Sequence, residues 1–343
     1  MNNKYKYWPL LALLLIAVAL PHFTRGTQTE FAIEILVTGM FALSLNILIG
    51  RLGLISFGHG LFLGLGAYLA AFMLRHVAEN LFVLLAVALL VGVMVSLLVG
   101  AMVLRLGGVG FVMITIAFCQ LFYVLVLSTQ AWSGGINGIS SIPRPSLWAG
   151  DGVPDWLSLD NGITFYYVAL LLLIALLLGL KRLDASPLGA VFSGIRQNPM
   201  RMRALGYPVR RFQLIGFVMA GSVAAVAGSL HASLFSLVDP ALLFWTTSGE
   251  VILMVILGGI GSLYGPLVGA ALFLALFHYL GALTDHWRLV LGMIFVLMVL
   301  YAPNGLVPLL ANAWRRWRRW RRPDLRRPGA EAVPTLTKEG GEA

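Results

Sequence analysis

Runs of about twenty apolar residues recur along this chain with short polar connections between them, and that rhythm limits its folds more than any single motif does. Inside lipid every backbone N–H and C=O must be bonded within its own segment, so a run of this length crosses the membrane as a helix. The runs fall at 8–24, 31–50, 54–74, 81–104, 109–128, 163–181, 212–235, 242–260, 264–283 and 287–303. The expected fold is therefore an all-α polytopic transmembrane helical bundle of about ten spans. Composition agrees: 11% of the residues are charged, whereas soluble domains carry about 25%. The third and eighth runs are the least regular, because glycine and polar groups interrupt them.

Lys and Arg in short loops mark the cytoplasmic side. Starting inside with Lys4 and Lys6, alternation puts Arg51, Arg105, the segment 181–211 and the Arg-rich tail in the cytoplasm, with both termini there. It puts Glu79, Asp151, Asp155, Asp160, Asp239 and Asp285 outside. Ala17-Val18-Ala19 resembles a signal-peptidase site, but a retained first helix is the expectation. The domain plan is a membrane body over 1–310, with an inner loop at 182–211 and an outer loop at 129–162, then a tail over 311–343. That tail holds much of the net charge of +10, and in WRRWRRW (314–320) the tryptophans share a helix face while arginines take the other. The pattern fits an anchor on anionic membrane lipid and not a nucleic-acid surface. The lone Cys119 leaves no disulfide framework and no cysteine metal site.

The inner loop carries the most local information. SPLGAVFSGIRQNPMRMRALGYPVRR (186–211) has arginines at 196, 201, 203, 210 and 211. Ser186-Pro187 and Asn198-Pro199 each offer an N-cap followed by proline at the first helical position. Gly206 and Pro208 then stop the second segment. Two short capped helices are predicted, 187 to about 196 and 199 to about 205. Positive charge alone would satisfy topology, but caps and apolar residues (Val191, Phe192, Ile195, Met200, Met202, Leu205) imply an ordered knob that docks a protein. The chain has no GxxxxGK[ST] loop, so if ATP drives transport the ATPase has to be another subunit.

Two spans are unusually rich in glycine. LGLISFGHGLFLGLGAYLA carries Gly53, Gly58, Gly60, Gly64 and Gly66, each costing up to ~1 kcal/mol in a helix. Either the helix breaks here or it packs backbone against backbone. The run SGEVILMVILGGIGSLYGPLVGAALF carries Gly258, Gly259, Gly261, Gly265 and Gly269, and shares the spacing G-x6-G-x3-G with the first. Paired, glycine-interrupted segments are where transporters often place their pathway. Ser56, His59, Gly60, Gly64, Glu250, Gly258, Gly259 and Gly265 are the candidate pathway and packing residues. His59 also reads as a satisfied interior histidine, and a Ser56–His59 hydrolase dyad has little to support it. Glu250 either faces a cavity or lies near the outer interface, bonded by Thr246, Thr247 or Ser248.

Four ordered segments together resemble the LivM-type permeases of branched-chain amino acid ABC importers, in the hydrophobic amino acid uptake group. They are GRLGLISFGHGLFLGLGAYLAA, SGGINGI, SPLGAVFSGIRQNPMRMRALGY and TTSGEVILMVILGGIGSLYGPLVGA, and the likeness runs from about Phe31 to Leu306. The resemblance implies an ABC importer permease fold in a bacterial inner membrane. It implies a LivH-like second permease, two ATPases of LivG and LivF type that bind the ATP and magnesium, and a periplasmic substrate-binding protein. This subunit itself would be no enzyme and hold no cofactor.

The same resemblance makes the inner loop an ATPase-coupling element, with Ile195, Arg196, Asn198, Arg201, Ala204, Leu205 and Gly206 as its candidate residues. Ala204 and Gly206 match the loop of related importers, and Ile195, Arg196 and Asn198 match the I-R-x-N pattern. Pro199 departs from the acidic residue that follows I-R-x-N, and Met200, Arg201 and Met202 replace the acidic residue and paired alanines of the related importers' loop. Gly134, Gly135, Asn137 and Gly138 of the outer loop are candidates for docking the binding protein. A urea or short-amide importer shares this architecture. A secondary transporter would need more ionisable groups in its spans than Glu250, Glu34 and a few histidines.

Overall fold

The computed structural model describes residues 17–22, 26–77, 79–147, 158–283, 286–301 and 305–309. Eleven helices longer than one turn carry the fold among them. They are α1 (Thr27–Asn46), which continues as a π-helix (Ile47–Leu52), α2 (His59–His76), α3 (Leu81–Val103) and α4 (Val109–Ser128). Then come α5 (Gly162–Asp184), α6 (Pro187–Gln197), α7 (Pro199–Ala204), α8 (Val209–Phe235), α9 (Trp245–Gly258), α10 (Gly265–Leu283) and α11 (Trp287–Tyr301). Two residues of β1 (Ile139–Ser140) pair antiparallel with two of β2 (Leu237–Val238), a small exception to an otherwise helical chain.

Six of these helices are long and apolar enough to cross a membrane: α1 with its π-helical extension, α3, α4, α5, α8 and α10. The polytopic membrane reading therefore stands on the described residues, while most of the run at 8–24 lies outside them. The run expected at 54–74 begins as a helix only at His59, because Gly53 takes a left-handed φ of 72° and residues 53–58 are not helical. The run expected at 242–260 is also corrected. Asp239 caps a 3-10 turn (Pro240–Leu243), extended Phe244 follows, and α9 is only 14 residues long.

Helix α8 sits at the centre, packed on α1, α2 and α3. Burial separates inner from outer helices: 78% of the α1 window and 61% of the α8 window are buried, against 17% for α4. Small residues make the centre possible, since α8 reads GFVMAGSVAAVAGSLHAS. A methyl at Gly66 of α2 would overlap the Ala225 carbonyl of α8, and one at Gly228 would overlap the Leu63 carbonyl. Side chains have been removed there so that backbones touch, the usual device where no water-driven force joins helices. A second layer, α9 and α10 as a hairpin, closes on α1. The basic anchor at 314–320 and the rest of the tail lie outside the described residues.

Candidate functional site

The two capped helices of the inner loop form where the sequence placed them. Ser186 Oγ accepts from the Gly189 N–H at 3.3 Å, and Asn198 Oδ1 accepts from the Arg201 N–H at 2.9 Å. Gly206, at φ 84°, takes the left-handed turn that carries the chain from α7 to α8. Helix α6 lies against the π-helix, the end of α5 and the start of α8. Phe192 and Ile195, 0% and 2% exposed, seal it there. Arg196 extends from the same helix and donates to the Gly50 carbonyl at 2.5 Å. Its guanidinium also borders Gly261, in the turn between α9 and α10.

That turn is held from a second direction. Asn46, fully buried at the end of α1, donates to the Ser262 carbonyl at 2.9 Å and accepts from the Gly261 N–H at 3.0 Å. Both ends of one amide are used, so α1 is tied to the α9–α10 turn through a donor and an acceptor together. The two glycine-rich stretches thus resolve into two six-residue breaks, 53–58 and 259–264, each leading into a helix. Gly258 and Gly265 bring the ends of α9 and α10 into backbone contact, and Gly259 turns the chain between them at φ 116°. Gly60 donates its N–H to Ser248 Oγ at 2.8 Å, and Gly64 packs on Leu243, joining α2 to α9 and to the 3-10 turn before it.

Between α1, α9 and α10 lies a cavity of about 320 Å³. Glu34, Asp239 and Glu250 supply three carboxylates to its wall, Thr38, Thr246 and Thr247 supply hydroxyls, and His231 an imidazole. Phe41, Met254, Phe273, Leu274 and Phe277 line the rest. A few polar groups on a largely apolar wall, in this size range, are the usual makeup of a small-molecule site. Of the neighbouring hydroxyls considered for Glu250, Thr247 Oγ1 donates to the Ala241 carbonyl and Ser248 Oγ accepts from the Gly60 N–H.

Residues 28–299 match the family described as branched-chain amino acid transport system, permease component. The chain belongs to this permease family. It is 31% identical over 316 residues to the high-affinity branched-chain amino acid transport system permease protein LivM of Escherichia coli strain K12, covering 88% of this chain and 74% of the relative. The LivM protein of Salmonella typhimurium strain LT2 gives the same identity and the same coverage. A probable branched-chain amino acid transport permease protein of Methanocaldococcus jannaschii is 26% identical over 197 residues, 51% of this chain and 53% of that one. No solved structure matches the chain.

The permease brings some candidate residues together and separates others. Glu250 faces the cavity, but Ser56 and His59 do not: both are 0% exposed and belong to the interior. His59 Nε2 lies 2.8 Å from Ser44 Oγ, and its ring stacks on Phe41 at 5.5 Å. Ser56 Oγ instead accepts from the Gly58 N–H, so there is no dyad. In the inner loop, buried Ile195 packs the loop onto its own bundle and is not available to a partner, whereas Arg201, Ala204, Leu205 and Gly206 are exposed. Asn198 serves as the cap of α7.

In the outer loop Gly134, Gly135 and Gly138 all have positive φ, and a side chain at Gly138 would overlap the Val238 carbonyl. These glycines shape the turn, which leaves Asn137 exposed beside Ile136 and Trp132, 79% and 73% exposed. Sequence reasoning missed the cavity roles of Thr38, His231 and Asp239. The signal was faint, since each sits alone in its own segment and only the fold assembles them.

Proposed function

We propose that this permease is one of two membrane subunits of an ATP-driven importer for branched-chain amino acids in a bacterial inner membrane. A LivH-like permease completes the pathway, LivG-like and LivF-like ATPases bind ATP and magnesium, and a periplasmic binding protein delivers substrate. The Lys and Arg in its short loops support an orientation with α6, α7 and both termini on the cytoplasmic side and the 129–162 loop outside. The ten-span reading remains part of this proposal.

The observation that carries the mechanism is the hydrogen bond from Arg196 to the Gly50 carbonyl. Exposed Met200 and Leu205, 70% and 66% exposed, with Arg201 and Ala204 beside them, form the surface that the ATPases grip. When ATP draws the two ATPases together, the α6–α7 knob moves as a unit. Arg196 passes that displacement to the π-helix at the end of α1 and to the α9–α10 turn. Those are the helices that bear Glu34, Thr38, Glu250 and Phe273 on the cavity wall. The cavity changes shape because its walls hang from the moved parts.

In the cavity, carboxylates face the ammonium group of the amino acid and the aromatic and aliphatic wall takes its side chain. The test is uptake of leucine by the assembled transporter in proteoliposomes, with ATP inside and binding protein outside. Accumulation that needs both supports the reading. Uptake driven by an ion gradient without ATP, or uptake of urea in place of leucine, would replace it.

A further inference from the structure

Where α3 ends and α8 begins, a cleft of about 190 Å³ is lined by Arg105, Arg210 and Arg211 around a floor of Gly100, Ala101, Leu104 and Leu214. Among the described residues none of the three arginines forms an ion pair, unlike Arg51 with Asp184 and Arg144 with Glu30. Arg210 and Arg211 also sit in the first turn of a 27-residue helix, where the backbone dipole already presents positive charge. Three cations gathered at that end are unfavourable unless an anion sits among them. The apolar floor belongs to two helices long and apolar enough to cross a membrane, and the three arginines stand at their adjoining ends. Topology alone would call for the charge but not for a hydrocarbon slot beneath it.

We infer that this cleft is a binding site for an anionic phospholipid, its phosphate held by Arg105, Arg210 and Arg211 and an acyl chain laid over Ala101, Leu104 and Leu214. Guanidinium groups suit phosphate because their forked N–H donors match its oxygens. Basic pockets between membrane helices bind anionic headgroups for the same reason. The lipid would clamp the end of α3 to the start of α8, beside the turn where α7 feeds into α8. The inference is independent of the transported substrate and of which face of the membrane this end occupies.

The experiment uses the assembled transporter in detergent, stripped of lipid and titrated with phosphatidylglycerol bearing a photoreactive acyl chain. Cross-links are expected on peptides covering 100–105 and 210–214, competed by unlabelled phosphatidylglycerol but not by phosphatidylcholine or inorganic phosphate. The R105Q/R210Q/R211Q variant should need about a hundredfold more lipid for half-maximal labelling. The corresponding triple lysine variant should keep most of the labelling, which separates lost charge from lost fold. Ala101→Trp fills the slot without removing charge and should also weaken labelling. Unchanged labelling of the glutamine variant overturns the site. So does competition by inorganic phosphate as strong as by the lipid, which would mark a site for free anions.

Discussion

The Arg51 guanidinium grips the Asp184 carboxylate through two parallel hydrogen bonds, 2.6 Å from Nε and 2.8 Å from Nη2, joining the π-helix after α1 to the end of α5. Arg51 is 7% exposed and Asp184 45%, so the pair is sheltered on one side only. Removing the acid strands a buried cation. The full penalty for that in a dry interior is several kcal/mol, and water reaching Asp184 lowers it to about 2 kcal/mol. Asp184→Ala should therefore lower the melting temperature of the purified subunit in detergent. Arg51→Met combined with Asp184→Leu should recover part of the loss, since no lone charge remains. Equal melting of Asp184→Ala and the parent would show that the pair holds nothing together.

The Arg196 link predicts uncoupling without collapse. Hydrogen bonds to charged groups contribute about 1.5 to 3 kcal/mol, too little to unfold a bundle this extensively packed but enough to free the knob from its target. Arg196→Ala should leave complex assembly and basal ATP hydrolysis near parental values while ATP-driven uptake drops about tenfold or more. Arg196→Lys, which keeps a donor of similar reach, should retain intermediate uptake. Parallel loss of hydrolysis and transport in both variants would instead place Arg196 in the ATPase contact itself.

Although the helices in the runs at 54–74 and 242–260 start only at His59 and Trp245, much of this architecture was legible: the apolar runs, the capped helices at 187 and 199, and the glycine interruptions all follow from local rules. The cavity did not follow from them. Glu34, His231, Asp239 and Glu250 lie in separate segments, and the wall they share exists only once α10 closes on α1 and α9. His59 was open to two readings, pathway residue or interior histidine, and it takes the interior place. A histidine beside a serine in a glycine-rich run has the look of chemistry, yet Ser44, fifteen residues earlier on a different helix, is its actual partner. The knob was half legible: its helices follow from their caps, but a pattern of apolar residues does not say that Phe192 and Ile195 turn inward while Met200 and Leu205 turn out.

Glycine substitutions offer a graded check on the central packing. Gly66 and Gly179 both lie inside helices, but a methyl at Gly66 meets the Ala225 backbone while one at Gly179 meets nothing within 4 Å. Gly66→Ala should destabilise by about 1 to 3 kcal/mol, the range for overpacking, because a backbone carbonyl cannot swing aside. Gly179→Ala should be neutral or stabilising by up to about 1 kcal/mol, through helix propensity alone. Thermal melts of the two variants in one detergent decide it, and equal shifts would mean that α2 and α8 are not in backbone contact.

Cysteine accessibility separates the cavity from the buried cluster that the same sequence features brought to mind. Glu250 lines the cavity wall, whereas Ser56 is 0% exposed behind the start of α2. The native Cys119 is itself buried beside Ser248, so its background labelling should be low and can be removed with Cys119→Ala. In that background, a water-soluble thiol reagent should modify Glu250→Cys at a rate that changes between nucleotide-free and ATP-bound transporter, because the wall that carries it moves with the knob. Ser56→Cys should resist the reagent in both states. Rapid modification at 56 with none at 250 would put the water-filled path on the other side of α2 and return His59 to candidacy as a pathway residue.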